Sequence, residues 1–177
     1  ERTVGPSLGQ DSIDNGLYAA ALGAALVLIL MLALYKLFGF FAVIALFFNL
    51  SLTFAVLSLI GATLTMPGIA GMVLTMGMAV DANVLIYERI KEELRLGRTT
   101  IAAIDAGFNR AFSTIMDSNL TGLISTFFLY TYGSGPIKGF AVTLAAGILC
   151  SMFSAVALTR SMIIIYIKAK KPKKLFI

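Results

Sequence analysis

Two aspartates lie in stretches of sequence that are otherwise apolar and long enough to cross a membrane. Asp81 lies within the apolar run of residues 76–86, and Asp117 lies one predicted crossing later. An aspartate at the centre of a membrane helix costs about 2.5–3.5 kcal/mol on insertion scales, and such residues mostly serve ion or proton movement or pair with other polar groups. The two residues therefore predict a proton relay inside a membrane.

The polar residues around the aspartates favour the same chemistry. The sequence has no histidine, so a relay must use carboxylates assisted by water, hydroxyls or amides. Asn83 and Asn119 each follow an aspartate by two residues, which is about 200° around a helix, so each amide should face away from its aspartate. The second aspartate belongs to a polar stripe that we expect to point into the helix bundle, formed by Ser113, Thr114, Asp117, Thr121 and Ser125.

Two other interpretations of the aspartates compete with a relay. Ion pairs with Arg89, Arg110 or Arg160 can neutralise both carboxylates, or the carboxylates can cap neighbouring backbone. An intramembrane aspartyl protease also needs two membrane aspartates, but those enzymes share a Gly-x-Gly-Asp motif. The residues that lead to Asp81, GMAV, have no second glycine where that motif needs it. We predict no catalytic residue, no metal site and no cofactor, with protons as the coupling ion.

The composition indicates that lipid rather than water surrounds this protein. The 177 residues are 59% hydrophobic and 13% charged, whereas soluble domains have about 45–50% apolar and about 25% charged residues. Only Cys150 carries a thiol, so no internal disulfide can form. The net charge of +5 does not predict a nucleic-acid partner, because the basic residues flank apolar runs.

Five apolar runs are long enough for membrane-spanning helices, each of which needs about 20 residues. The predicted fold is therefore all-α, a polytopic bundle of five transmembrane helices over residues 17–160. The helices are expected at residues 17–35, 37–60, 67–87, 111–130 and 139–158. Lys36 is the only charged residue between the first two helices, which predicts a tight turn. Thr65 and Pro67 predict the N-cap and first turn of the third helix.

Residues 88–110 form the one sizeable loop of the predicted fold. The third helix should continue beyond the membrane surface as far as residue 95, with Gly97 near its end and Thr99 or Thr100 capping a new segment. That segment is amphipathic, and we expect its apolar face to lie along the lipid headgroups. The face consists of Ile101, Ile104 and Phe108.

The positions of lysine and arginine predict the orientation of the bundle. Of the 14 basic residues, twelve fall at one side of the membrane and only Arg2 and Lys138 at the other, so the first side is cytoplasmic by the positive-inside rule. Residues 1–16 then form a periplasmic lead-in. Residues 161–177 form a basic cytoplasmic tail that touches anionic lipid. Because the sequence begins at Glu1 rather than at methionine, we expect it to be the C-terminal part of a longer chain.

The fifth predicted helix carries small residues at every fourth position. Such a stripe allows two membrane helices to pack closely. Whether it contacts helices of this chain or of a partner stays open at this point. The stripe comprises Gly139, Thr143, Gly147, Ser151 and Ala155, and it ends at Thr159.

Six separate blocks of sequence share one resemblance. They are residues 2–9, 64–71, 77–93, 114–119, 138–143 and 173–177, and the longest block reads GMAVDANVLIYERIKEE. These blocks are similar to the C-terminal membrane domain of the SecD/SecF family, in its SecD branch. Together they extend over nearly the whole chain.

The resemblance implies a half bundle of the resistance-nodulation-division (RND) superfamily that helps protein export across the bacterial inner membrane. The five predicted helices would be the second to sixth of six, and the first helix and a periplasmic domain would lie outside this sequence. Asp81 would be the fourth-helix relay aspartate and Asp117 the fifth-helix aspartate. The implied partners are SecF, the SecYEG translocon with YajC and YidC, membrane lipid, and an unfolded preprotein that the periplasmic domain holds.

Two alternative functions remain at the level of the sequence. A proton-coupled RND exporter of small molecules or lipids would share the same relay chemistry, so the relay residues do not distinguish it. A purely structural scaffold for translocon subunits would need no proton flux.

Overall fold

The structure is a computed structural model that describes residues 6–63 and 65–170, with side chains from residue 14 onward. All the elements within these residues are helical. They are α1 (Pro6–Leu59), α2 (Met66–Arg95), α3 (Thr100–Tyr132), α4 (Gly135–Phe153), a π-helical turn (Ser154–Thr159) and α5 (Arg160–Lys170). The predicted all-α class is therefore confirmed for the described part of the chain.

A sharp bend at Lys36 divides α1 into two arms, residues 6–35 and 37–59. Lys36 has a φ of 48° and a ψ of −112°, and a positive φ is uncommon for a residue with a side chain. The bend brings the arms so close together that a Cβ atom on Gly39 would collide with the carbonyl group of Met31. The tight turn predicted at Lys36 is therefore present, without any intervening loop.

The ends of α2 and α3 follow local signals in the sequence. The Thr65 hydroxyl accepts a hydrogen bond from the backbone N–H of Gly68 at 3.2 Å, and Pro67 occupies the first turn of α2. This is a standard N-cap, in which a side-chain oxygen satisfies one free N–H of the first turn. After α2 ends, Gly97 has a φ of +83°, which glycine adopts without steric cost. Thr99 is then the N-cap of α3.

Helix α2 is the central element, because it packs against α1, α3 and α4. Its buried face gives Ile86, Tyr87 and Ile90 to the main core, where Phe38 of α1 and Phe108 of α3 join them. The Tyr87 ring meets the Phe38 ring edge-on with 5.4 Å between centroids, a geometry that aromatic pairs favour. The core therefore fixes α2, and with it Asp81, relative to its neighbours.

By length and composition, three helical stretches among the described residues can cross a membrane: Asp14–Leu59, Met66–Arg95 and Gly135–Lys170. The first stretch contains both of the first two predicted helices, joined at the Lys36 bend. Helix α3 contains the fourth predicted span but does not qualify, because its polar side chains lower its hydropathy. The count of five crossings therefore stays a prediction.

The expectation of an amphipathic segment along the headgroups is wrong. Residues 100–110 are the first turns of α3 and continue directly into the rest of that helix. Ile104 and Phe108 are buried in the main core, and only Ile101 is exposed. Burial in the core removes both apolar side chains from water, so they do not lie along the headgroups.

Helical structure extends beyond both predicted ends of the bundle, while the periplasmic and cytoplasmic positions of those ends stay predictions. Residues 6–16 of the predicted lead-in are part of α1, while residues 1–5 lie outside the described residues. Residues 161–170 of the predicted tail form α5, whose Ile163 and Ile167 are buried. The lysines at 171, 173 and 174 lie outside the described residues. An apolar stripe therefore continues the last helix beyond the predicted boundary at residue 160.

Candidate proton-relay site

Asp81 lies in a groove of about 300 Å³ between α2 and α3. The central α2 places the residue, because its opposite side is held in the core. The groove is open at the surface of the chain, so its polar groups can be reached by water or by another protein. It is lined by Met78, Asp81, Ala82, Val84, Leu85 and Glu88 of α2 and by Thr114, Ile115, Ser118 and Asn119 of α3.

The carboxylates of Asp81 and Asp117 make no ion pair and no side-chain hydrogen bond with the side chains that the structure describes. Both side chains are exposed on the surface of the single chain. Both carboxylates are therefore open to contact with a group from outside the chain.

The three arginines considered as partners for the aspartates all pair with other acids. Arg89 contacts Glu92 at 2.9 Å, Arg110 contacts Glu93 at 2.8 Å, and Arg160 contacts Asp105 at 2.7 Å between nitrogen and oxygen. The interpretation in which these arginines neutralise Asp81 and Asp117 is therefore wrong for this structure.

The two asparagines face the interior, away from the aspartates, as the helical spacing predicts. Asn83 is 1% exposed and its Nδ2 donates to the carbonyl oxygen of Ala79 at 3.1 Å. Asn119 is also buried and donates to the Ile115 carbonyl oxygen at 2.8 Å. Each helix therefore shows a carboxylate on its outer side and an amide on its inner side.

The polar stripe of α3 lies on the outside of the chain, whereas the sequence suggested that it points into the bundle. Its members Ser113, Thr114, Asp117, Thr121 and Ser125 are all exposed. The buried side of α3 is instead mostly apolar, with Ala111 and Ile115 among its members and Asn119 and Thr126 as its polar residues. Two stripe hydroxyls are satisfied within the helix, since Thr121 and Ser125 donate to the carbonyl oxygens four residues before them at 2.9 and 3.0 Å.

The structure does not bring the two aspartates into one cavity. Helices α2 and α3 adjoin. Yet the α3 residues in the Asp81 groove are Thr114, Ile115, Ser118 and Asn119, and Asp117 is not among them. Asp117 therefore shares the outer side of the chain with Asp81 but not its groove.

The small-residue stripe runs from α4 into the π-helical turn, and its glycines lie against α2 and the Thr65 N-cap of the same chain. Thr143 and Ser151 are 2% exposed and Ala155 is fully buried. A Cβ atom on Gly147 would lie 2.7 Å from the Cβ of Thr75, and one on Gly139 would lie 2.6 Å from the Thr65 hydroxyl. The stripe thus allows the closest approach of the two helices.

Sequence reasoning missed Glu93, whose side chain is completely buried near the end of α2. Its two carboxylate oxygens lie 2.7 Å from Arg98 and 2.8 Å from Arg110, with the geometry of ion pairs rather than of aligned hydrogen bonds. Spacing could have revealed it, because Glu93 follows Ile86 and Ile90 at the seven- and three-residue intervals of one buried helical face. Glu93 joins α2 to the turn and to α3.

A second polar cluster is centred on Glu88, which also lines the groove. The Tyr35 hydroxyl donates to Glu88 Oε1 at 2.9 Å, and Lys91 Nζ donates to the same oxygen at 2.9 Å. The Lys91 ammonium also lies 4.3 Å from the centroid of the Tyr35 ring. This cluster ties α1 to α2 one or two turns beyond Asp81. Within the described residues, no group of three or more potential metal ligands is found.

Comparisons with known proteins give one consistent result. Residues 1–169 match the family model for the protein export membrane protein SecD/SecF, C-terminal. Over 98% of its length the chain is 56% identical to the protein translocase subunit SecD of Calditerrivibrio nitroreducens, and over 99% it is 58% identical to that of Rickettsia bellii. In both cases the chain spans 34% of the relative's own length.

A solved structure is similar over almost the whole chain. It is the crystal structure of SecDF from Thermus thermophilus, described as a translocon-associated membrane protein. The two chains are 43% identical, with a TM-score of 0.92 over 97% of this chain and 24% of the other.

Proposed function

This chain belongs to the SecD/SecF family of protein export membrane proteins, and from that premise we propose that it is the membrane part of an accessory subunit of the Sec protein translocase. In this proposal the subunit works with SecF and uses the proton-motive force to promote preprotein export across the bacterial inner membrane. The chain spans 34% of the relatives it matches. We propose that the parts that bind the preprotein lie in the remainder of such a chain.

The observation that carries the proposal is the carboxylate of Asp81, which lies on a helix long enough to cross a membrane and has no ion-pair partner among the described side chains. Asp81 lies seven residues before Glu88, which is about 10 Å along a helix. Neither an arginine nor a lysine of the described chain neutralises it. Since hydrocarbon is an unfavourable surrounding for an unpaired carboxylate, a second helical half must cover this side. We propose that SecF supplies that half and a basic partner for the relay.

In the proposed mechanism, protonation of Asp81 changes the packing of the helices. A neutral carboxyl group and a charged carboxylate favour different packing of the helices across the groove, because only the charged form needs an ionic partner. One proton that crosses a potential of 100 mV releases roughly 2.3 kcal/mol, which changes the ratio of two helix arrangements by some tens-fold. Repeated loading and release would move a periplasmic domain that holds the preprotein.

The proposed arrangement in the membrane follows the distribution of basic residues. Five crossings put residue 17 near the periplasm and the lysines of α5 in the cytoplasm. The RND-type half bundle would contact SecYEG through SecF or directly, with YajC and YidC as further members of the assembly. Lipid covers the remaining apolar surface. Covalent catalysis plays no part in this mechanism.

The substitution Asp81→Asn tests the proposal, because it keeps the size of the side chain and removes its titration. The assay is preprotein export by the full-length protein with SecF and SecYEG in proteoliposomes, with and without a proton gradient. We expect the gradient-dependent part of export to fall at least ten-fold. Glu92→Gln is the matched control, since it removes an acid from the same helix outside the groove, and it should leave export unchanged.

The same assay separates the proposal from its rivals. Gradient-dependent export that persists in Asp81→Asn overturns the relay assignment. Loss of proton flux with export unchanged favours an exporter of another substrate, and the absence of proton flux in the unmodified complex favours a scaffold. Asp117→Asn, measured in parallel, should reduce export less than Asp81→Asn, because Asp117 lies outside the groove.

A further inference from the structure

A π-helical turn interrupts the last long helix of the chain. It covers Ser154–Thr159 between α4 and α5, and its Ser154, Ala155 and Thr159 are buried. A π turn holds one residue more than an α-helical turn and is often found at functional sites. Its conversion to regular α-helix would rotate the following helix by about 100°, the angle that one residue contributes. A change from the π form to the α form would therefore alter which side of α5 faces its neighbours.

One side chain connects this turn to α2. The Thr159 hydroxyl donates to Asn83 Oδ1 at 2.8 Å, and both residues are at most 1% exposed. The hydroxyl also lies 3.4 Å from the Ser154 carbonyl oxygen, but its single hydrogen favours the shorter contact. Among the described residues, it is the only side-chain hydrogen bond between α2 and either the turn or α5.

Asn83 lies close enough to Asp81 on α2 to move with it. The two residues lie two positions apart on α2 and face opposite sides, Asp81 toward the outer groove and Asn83 toward the interior. A rotation or shift of α2 that follows a change of charge at Asp81 moves Asn83 as well, since a helix turns as a rigid body over so short a distance. Because Asn83 accepts the hydrogen bond from Thr159, such a movement would displace the Thr159 hydroxyl.

Arg160 connects the end of the π turn to a third helix, α3. Arg160 follows Thr159 directly, and its guanidinium lies 2.7 Å from the carboxylate of Asp105 on α3. The end of the π turn is thus held by α2 on one side and by α3 on the other. We propose that Thr159 is a positioning residue, whose hydrogen bond to Asn83 transmits a change at Asp81 through the π turn to α5. The proposal rests on the relay role proposed for Asp81.

The test measures the position of α5 rather than activity alone. Ile101 and Lys168 line opposite sides of a second groove, between α3 and α5, and both are exposed. Cysteines at these two positions, in a Cys150→Ala background, take nitroxide labels. The distance between the labels is measured by pulsed electron paramagnetic resonance. The sample is the full-length protein with SecF in lipid nanodiscs. Asp81→Asn stands for the protonated relay.

We expect Asp81→Asn to shift the distance distribution when Thr159 is present. Thr159→Val keeps the shape and removes the hydroxyl, and the shift should then fall at least three-fold, whereas Thr159→Ser should restore it. Thr126→Val is the matched control, because Thr126 is buried but bonds only to Leu123 of its own helix. That variant should respond to Asp81→Asn as the unmodified protein does.

Two results overturn the inference. One is an equal shift in Thr159→Val and in the unmodified protein, and the other is no shift at all with Thr159 in place. If Thr159→Val does not assemble, Asn83→Leu removes the acceptor of the same bond and must abolish the shift in the same way. Export that is insensitive to Asp81→Asn refutes the proposed relay instead, and that assay is independent of the labels.

Discussion

Asp81 and Glu93, two acids of the same helix, are held in opposite ways. Glu93 is completely enclosed and contacts two arginines at 2.7 and 2.8 Å. Asp81 is exposed on the single chain and has no charged partner among the described side chains. Glu93 therefore links α2 to the turn and to α3, whereas Asp81 is open to contact with a group from outside the chain.

Glu93→Gln should loosen the connection between α2 and α3. The amide keeps the volume of the side chain but no longer attracts Arg98 and Arg110, and it leaves a buried polar group with poorer partners, at a cost of about 1–3 kcal/mol. This loss of stability is smaller than the loss from breaking a fully buried ion pair, because Arg98 and Arg110 are half exposed and become hydrated when the contact is lost. Thermal unfolding of the full-length protein in detergent, followed by circular dichroism, measures the loss.

The control for this substitution is Glu92→Gln on the neighbouring exposed position. Glu92 pairs with Arg89 at the surface, with side chains 49% and 39% exposed, and such pairs contribute about 0–1 kcal/mol. The midpoint of unfolding should barely change. Equal midpoints for the two variants would show that the Glu93 contacts are not a structural link.

At the scale of the helices, close approach depends on a few glycines. A Cβ atom on Gly107 of α3 would lie 2.8 Å from the backbone nitrogen and 2.9 Å from the Cα of Ile90 on α2. Backbone atoms cannot move aside as the end of a side chain can. The crossing of α2 and α3, which forms the Asp81 groove, therefore requires glycine at this position.

Gly107→Ala should push α2 and α3 apart and destabilise the bundle by about 1–3 kcal/mol, the usual range for overpacking. Gly77→Ala is the matched control on α2, because a Cβ there meets no atom within 4 Å and alanine favours helix by about 0.5–1 kcal/mol over glycine. Unfolding midpoints of the two variants give the comparison. A Gly107→Ala protein as stable as the control would contradict the proposed helix contact.

The caps and turns at helix ends could be predicted from the sequence because they depend on neighbouring residues. Thr65, Pro67 and Gly97 each act through backbone within one turn, and all three have their predicted roles. The family resemblance, which rests on blocks of contiguous residues, is confirmed as well. The opposed directions of Asp81 and Asn83 also followed, since they require only the helical repeat.

The absolute direction of a face could not be predicted in the same way. Spacing shows that Ser113, Asp117 and Thr121 share one side of α3, but not which neighbour that side meets. The rule that polar residues face the interior of a bundle fails where a second chain is proposed to cover them. The π turn was not predictable either, because residues 154–159 read SAVALT, a sequence with no residue that interrupts a helix.

At the scale of the whole molecule, the chain has two chemically different outer surfaces. The first arm of α1 exposes large apolar side chains such as Leu22, Leu26 and Ile29, which suit contact with lipid tails. The outer side of α3 exposes the polar stripe together with Asp117. Hydrocarbon tolerates the first surface and disfavours the second, so the polar surface is where we expect a second chain.

Cysteine cross-linking in the full-length complex tests this division. A cysteine that replaces Thr121 on the polar surface should cross-link to SecF with a short bifunctional maleimide. A cysteine that replaces Leu26 on the apolar surface should react with lipid-soluble reagents and give no cross-link to SecF. Cross-linking at Leu26 but not at Thr121 would show that the assembly uses the other side of the chain.

The bend at Lys36 has a consequence for how this protein can change over evolutionary time. Most connections between helices accept insertions, because extra residues simply lengthen a loop. Here the two arms of α1 share a single non-helical residue, so there is no slack to absorb a change of length. One inserted or deleted residue would turn the second arm by about 100° and move Phe38 out of the core. Homologous genes should therefore vary in the identity of residues near this joint but keep their number constant.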